Sequence, residues 1–276
     1  MSEISAAAVM SLRKKTGLPM MDCKSALAEA NGDENLAVEL LRKKGEAVAI
    51  KRADRETGFG RFGLCIGADR AAGAIVELLC ESAPVAGNDE FIQLANDLAQ
   101  VYADDASIAD AEALLDQASP SKPGQTLRQV KDDMFNRIRE VFRVGRMARI
   151  DGPTGGYSHN SGTVAGVLLG ITGGSDELAK DVSMHVAAMR PTALNVADLD
   201  ATAVAKEREI LREAALQEVK PENIVDKMVE GRMRNYYAEQ VLLEQPFVKD
   251  DKQTVGKFAQ AAGMTIHKFV HWELGR

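Results

Sequence analysis

Apolar residues recur at helical spacing through the first fifty positions. Ile4, Ala8 and Leu12 form one stripe, Met20, Met21, Cys23 and Leu27 a second, and Leu36, Leu40 and Leu41 a third. Gly17 and Pro19 separate the first two, Asn31-Gly32-Asp33 supplies a turn and a capping aspartate before the third, and Gly45 offers a stop. The pattern predicts three short helices. Neighbouring residues on a helix point about 100° apart, so Met20 and Met21 fit together into so small a core only with difficulty. One of them is expected to face a partner.

After the charged connector "KRADRETG" the apolar period shortens. "RFGLCIG" and "AGAIVELLC" read as strands around a polar turn at Ala68–Arg70. "CESAPVAG" breaks the second strand and leads into a helix over Phe91–Tyr102, followed by a second over Ala109–Leu115 and a loop at "SPSKPG". A mixed-charge helix is expected over Thr126–Val144, then a glycine-rich connector over Gly145–Gly162, the strand "TVAGVLLGI" and a helix containing "AKDVSMHVAAM" that Pro191 closes. From Thr202 to about Leu242, Val204, Leu211, Ala215 and Val219 face Val225, Val229, Met233 and Tyr236 across a break at Pro221, the pattern of an antiparallel helical hairpin. The helix "TVGKFAQAA" and the strand "TIHKFVHWEL" follow, the strand alternating Ile266, Lys268, Val270 and Trp272 against His267, Phe269 and His271. Strands and helices do not follow a βαβ rhythm, so the fold class is α+β.

Composition narrows the function more than the fold. The 276 residues can bury a core without disulfides or metals, and no window approaches the roughly 18 apolar residues of a membrane span. Glu3 and the late charges of the N-terminus do not read as a signal peptide, so a cytoplasmic protein is expected. Cys23, Cys65 and Cys80 are an odd number without metal-ligand spacing and read as reduced thiols. The net charge of −7 argues against wholesale nucleic-acid binding, although six of the eight charges between Arg42 and Arg55 are positive. That patch reads as a solvated helix end.

Candidate chemistry is thin. "GFGRFG" at Gly58–Gly63 matches a dinucleotide fingerprint by letter, but a charged helix precedes it and a strand follows, the reverse of what a phosphate site needs. No P-loop occurs. His267 and His271 would stand about 13 Å apart on a strand, too far for shared metal ligation, and no nucleophilic triad can be assembled. No catalytic residue, metal or cofactor is expected.

The segments "SLRKKTGLPMMDCKSAL", "NGDENLAVELLRKKG", "AKDVSMHVAAMRPTAL", "KPENIVDKMVEGRM" and "QPFVKD...TVGKF", in that order, resemble bacterial translation elongation factor Ts. The resemblance runs from about Ile4 to Gly275 and implies a guanine-nucleotide exchange factor for elongation factor Tu, without covalent chemistry. It implies a three-helix module similar to ubiquitin-associated domains over residues 1–54, and core subdomains over 55–149 and over 150–200 with 243–276. A helical hairpin over 201–242 is inserted and is a candidate homodimer surface. Many members carry a further C-terminal helical module, and none is expected within this sequence. The implied partner is elongation factor Tu, GDP-bound and nucleotide-free, with neither nucleic acid nor membrane.

Contacts are implied at Arg13, Met20, Met21 and Lys24 in the module, at Arg52, and at Ala165, Gly166, His185, Val248 and Lys249; Ala165 and Lys249 depart from the residue types typical of the family. The family's Thr-Asp-Phe turn, which intrudes beside the partner's magnesium and phosphate site, reads Ser82-Ala83-Pro84 here, followed by Val85. Its carboxylate and ring are absent. Burying a phenylalanine is worth roughly 1.5–3 kcal/mol and about 1.4 kcal/mol is a tenfold change in affinity, so an unaltered partner would be coupled more weakly. Proline offsets part of that by fixing φ. The leading expectation is an exchange factor matched to an altered partner. The alternative is a protein that binds and stabilises elongation factor Tu with little exchange, and an enzyme using the glycine-rich segments is a weaker third.

Overall fold

The computed structural model describes residues 4–52, 54–160, 162–218 and 222–275, and the chain divides into two compact units. The first is built from residues up to Gly63 together with Val76–Met147, the second from Leu64–Ile75 and Ala148–Leu274. Among the described residues no helix is long and apolar enough to cross a membrane.

The first unit opens with α1 (Ala6–Thr16), α2 (Met20–Glu29) and α3 (Glu34–Lys51). Ser5 caps α1 through the Ala8 amide, Gly17 ends it at φ 70°, and the Asp33 carboxylate caps α3 through the Asn35 and Leu36 amides. Val9, Leu12, Cys23, Ala26, Leu27, Ala37 and Leu41 form the module's core. Gly45 does not stop α3. The helix runs through it, and the missing side chain lets α7 come close: a Cβ there would lie 1.9 Å from Asn136 Oδ1.

β1 (Phe59–Cys65), β2 (Ala72–Cys80) and β3 (Arg143–Asp151) form a sheet in the order β1-β2-β3. Between β2 and β3 lie α4 (Ala83–Ala86), α5 (Asp89–Asp104), α6 (Ala111–Leu115) and α7 (Leu127–Ile138). α5 buries Phe91, Leu94, Ala95, Leu98 and Ala99 on one face. A Cβ at Gly63 would stand 1.8 Å from the Ala95 carbonyl oxygen, and one at Gly60 2.2 Å from that of Leu78. Gly60 and Gly63 of "GFGRFG" therefore serve close approach of strand and helix to β1, which starts at Phe59 inside the motif, while Gly58 stands before the strand in open space. α7 has a Thr126–Gln129 capping box and ends earlier than its charge pattern suggests, because Arg139 turns left-handed at φ 66° and its N–H closes on the Phe135 carbonyl.

The stretch expected as a connector is instead β3 and then β4 (Thr154–His159). In the second unit β4, β5 (Ala165–Gly173) and β8 (Met264–Glu273) form an antiparallel sheet with β5 central. β4 is glycine-rich because α8 (Asp176–Met189) lies directly on it: a Cβ at Gly155 would come within 2.3 Å of the Ala179 Cβ. Val167, Leu169 and Ile171 pack on Ala179, Val182 and Val186, with Phe247, Val255 and Ala259 closing the core. β8 does not alternate simply. Its register against β5 slips at Gly170/Ile171, so Ile266 and Phe269, three positions apart, both reach the same core.

α9 (Ala201–Leu216) and α10 (Glu222–Gln240) form the helical hairpin. Ala215, Val225, Val229 and Met233 are its buried seam, with Val204, Leu211 and Tyr236 beside them. Arg212–Asp226 and Arg232–Glu218 ion pairs flank the seam. Val219 and Pro221, expected in this hairpin, lie outside the described residues. The short pair β6 (Pro246–Phe247) and β7 (Asp250–Thr254) and then α11 (Val255–Ala261) lead into β8.

Candidate partner-binding surface

In the first unit α2 starts after Pro19, which leaves Met20 and Met21 on its first turn, 43% and 71% exposed. Cys23, two positions after Met21, is fully buried, so the helix is amphipathic in a narrow sense: the module keeps the cysteine and shows both methionines. Arg13, in the last turn of α1, and Lys24, on α2, are exposed cations of the same module. Arg52 is half-buried and already engaged, donating from Nη1 to the Arg139 carbonyl.

The Ser82–Val85 turn closes into one short helical turn, α4, with Ala83 and Pro84 exposed and Val85 half-buried. Its base is anchored from several sides. Ser82 donates to Glu140 from both its amide (3.1 Å) and its hydroxyl (2.6 Å). Glu81 accepts from the Val141 amide at 2.8 Å and from Arg55 at 3.0 Å. Burial acts to raise the Glu81 carboxyl, but those hydrogen bonds and the arginine outweigh it and hold the group below its usual range. Burial pushes the Cys80 thiol up to about 11, so it stays protonated and donates to the Ser82 carbonyl. Arg61 caps the far end through the Ala86 carbonyl.

In the second unit His185 lies on α8 and is fully buried. Its Nδ1 accepts the Val248 amide at 3.2 Å, which leaves the ring proton on Nε2 to be donated to Gln245 Oε1 at 2.9 Å. Gln245 is fully buried too and passes the chain of bonds to the Glu239 carbonyl. Burial lowers the imidazole below its ordinary value, and Gln245 offsets only part of that. What this assembly shows to solvent is Val248, 55% exposed, and Lys249, whose Nζ meets Asp181 at 2.6 Å. Ala165 and Gly166 sit at the start of the central strand, buried and paired on both edges, Ala165 with His159 and Glu273. The expected residues thus divide. Arg13, Met20, Met21, Lys24, Ala83, Pro84, Val248 and Lys249 are displayed; Ala165, Gly166 and His185 are interior. Among the described residues no group of three or more His, Cys, Asp or Glu could hold a metal ion.

A family model described as Elongation factor TS matches residues 81–276. The chain is also similar over its length to curated proteins named elongation factor Ts. It is 42% identical to the protein of Methylococcus capsulatus over 99% of this chain and 92% of that one, and 40% identical to the protein of Kineococcus radiotolerans over all of both. The protein of Aquifex aeolicus is 40% identical over 97% of this chain and 96% of its own. The chain belongs to the elongation factor Ts family. Family membership places it among the translation elongation factors, in protein biosynthesis.

The fold adds residues to the candidate surface that no local pattern marks. Glu140, Arg139 and Gln245 each position a displayed segment, and each meets its partner far along the chain: Ser82, Asp22 and His185. Gln245 stands in the "QPF" motif, yet nothing local to it points to a histidine 60 positions earlier.

Proposed function

We propose that this chain promotes GDP release from elongation factor Tu by binding the nucleotide-free form more tightly than the GDP-bound form. By linkage, the factor by which the partner's nucleotide weakens this complex is the factor by which the complex weakens the nucleotide. The observation that carries the reading is the similarity to proteins named elongation factor Ts over 99% of the chain. In this reading Met20 and Met21 are the apolar anchors of the module, with Arg13, Lys24 and, through its neighbours, Arg52 supplying charge. Val248 and Lys249 form a second contact, positioned from behind by His185 and by the strand that carries Ala165 and Gly166. The turn that carries Ala83 and Pro84 is directed at the nucleotide site. No bond is made or broken, so the activity is that of an exchange factor acting in the cytoplasm, and elongation factor Tu is the partner.

A second reading has its own support. The turn offers a methyl group and a proline ring where an intruding carboxylate and phenyl ring would do most to displace magnesium, which favours a protein that binds and stabilises elongation factor Tu with weak exchange. One assay separates the two. Elongation factor Tu from the same source is loaded with fluorescent GDP, catalytic amounts of this chain are added, and release is recorded. Acceleration is expected. Complex formation without acceleration would overturn the first reading in favour of the second.

A further inference from the structure

Within the first unit we propose that the segment Asn136–Val141 is a bracket that ties the three-helix module to the intruding turn, so that docking through Met20 and Met21 fixes where Ala83 and Pro84 stand. The proposal rests on the exchange reading above. Its basis is that one short segment holds both parts from opposite ends. At its N-terminal end Asn136, buried, packs directly beneath Gly45 of α3, and its Oδ1 has no hydrogen-bond partner. Arg139 Nη2 reaches Asp22 of α2 at 2.9 Å, two residues from Met20, and the Arg139 carbonyl accepts from Arg52 at the end of α3. At its C-terminal end Glu140 holds Ser82 by amide and hydroxyl, and the Val141 amide is held by Glu81. Each side thus supplies a carboxylate to the other's backbone.

Arg139 adds a separate argument. It sits at φ 66°, where glycine is at ease and a side chain costs roughly 1–2 kcal/mol in the left-handed region. A glycine would close α7 equally well but would leave Asp22 without its guanidinium. The strained residue is the one that holds the module with both its carbonyl and its side chain. A stiff link matters for exchange, because binding energy gained at one contact acts at a second only when the spacing between them is fixed. The residues of the bracket are accordingly positioning residues, acting through Ser82 and Asp22.

The test is a double-mutant cycle on the full chain with elongation factor Tu carrying fluorescent GDP, comparing Arg139→Ala, Glu140→Ala and the two together. Each single variant should lower the kcat of GDP release about tenfold while KM stays within about twofold, and the double variant should be no worse than the worse single one. Glu140→Gln, which keeps an acceptor and the shape, should recover most of the rate. Effects that multiply in the double variant, or that appear in KM alone, would overturn the bracket. If the native chain gives no acceleration, the exchange reading falls and the bracket is decided by hydrogen exchange of the free protein. Arg139→Ala must then speed exchange at the Ser82, Ala86 and Asn88 amides, and unchanged rates there would overturn it.

Discussion

Replacing His185 with leucine isolates the interior support of the Val248–Lys249 segment. Leucine comes close to histidine in volume, so the cavity and overpacking terms are small and the loss is polar. Gln245, fully buried, would be left without a partner for Oε1, a cost of about 1–3 kcal/mol. The Val248 amide would lose Nδ1, but its residue is exposed and water replaces part of the bond, so about 1 kcal/mol is added. The sum, about 2–4 kcal/mol, corresponds to a fall of roughly 6–12 °C in Tm for a unit of this size. Because burial holds the folded imidazole below its ordinary value, the unfolded chain takes up the proton first. The stability that the neutral ring contributes is complete above about pH 6.5 and is lost as pH falls through the folded pKa, and protonation also turns Nδ1 into a donor facing the Val248 N–H. His271, likewise lowered by burial, leaves a residual slope. Trp272, the chain's one tryptophan, lies in β8, so its fluorescence during urea unfolding at a series of pH values reads this unit. A leucine variant within about 0.5 kcal/mol of the native chain, or with the native loss of stability between about pH 7.5 and 5.5, would refute the reasoning.

Three further outcomes are expected. Met20→Ala with Met21→Ala should weaken complex formation with elongation factor Tu at least about tenfold and move Tm by less than about 2 °C, since neither side chain belongs to the module's buried core; calorimetric titration and a melting curve check it, and equal losses would make them core residues. Ala83→Asp with Pro84→Phe should leave GDP release from the native partner unchanged or slower, the outcome expected of a partner matched to the smaller turn; a tenfold gain would show instead a factor weakened at that point. Gly45→Ala should destabilise the first unit by about 1–3 kcal/mol despite alanine's better helix propensity, because the new Cβ meets the buried Asn136 amide, and adding Asn136→Ala should restore most of the loss; a neutral single variant in denaturant titration would contradict the packing.

Periodicity made the three-helix module and the hairpin legible, since their cores are built from residues three or four apart along each helix: Val9 and Leu12, Cys23 and Leu27, or Val225 and Val229. It failed where glycine serves packing and does not mark a turn. "TGGYSH" has little strand propensity, yet it is β4 because Ala179 of α8 leaves no room for a side chain at Gly155. Gly45 looked like a helix stop for the same reason. The end of α7 was hidden because a left-handed arginine does the work usually given to glycine, and the register slip in β8 was hidden because no residue there announces a bulge.

At the candidate surface the division follows the same physics. Exposed apolar residues on an otherwise well-formed helix, such as Met20 and Met21, can be suspected from spacing alone, whereas Arg139, Glu140 and Gln245 act only through partners that folding brings to them. The αL arginine recurs: Arg190 closes α8 at φ 52° and pairs with Glu273, as Arg139 closes α7 and pairs with Asp22. In both units a helix thus ends on a left-handed arginine whose side chain makes an ion pair to a distant element. For the turn this shifts the question away from the side chains it lacks. A proline-bearing loop whose base is held by Glu140 and Glu81 loses little entropy when it meets a partner. The area given up with the phenyl ring is therefore weighed against a turn that is already in place before binding, and the native partner's response to Ala83→Asp with Pro84→Phe measures which of the two is larger.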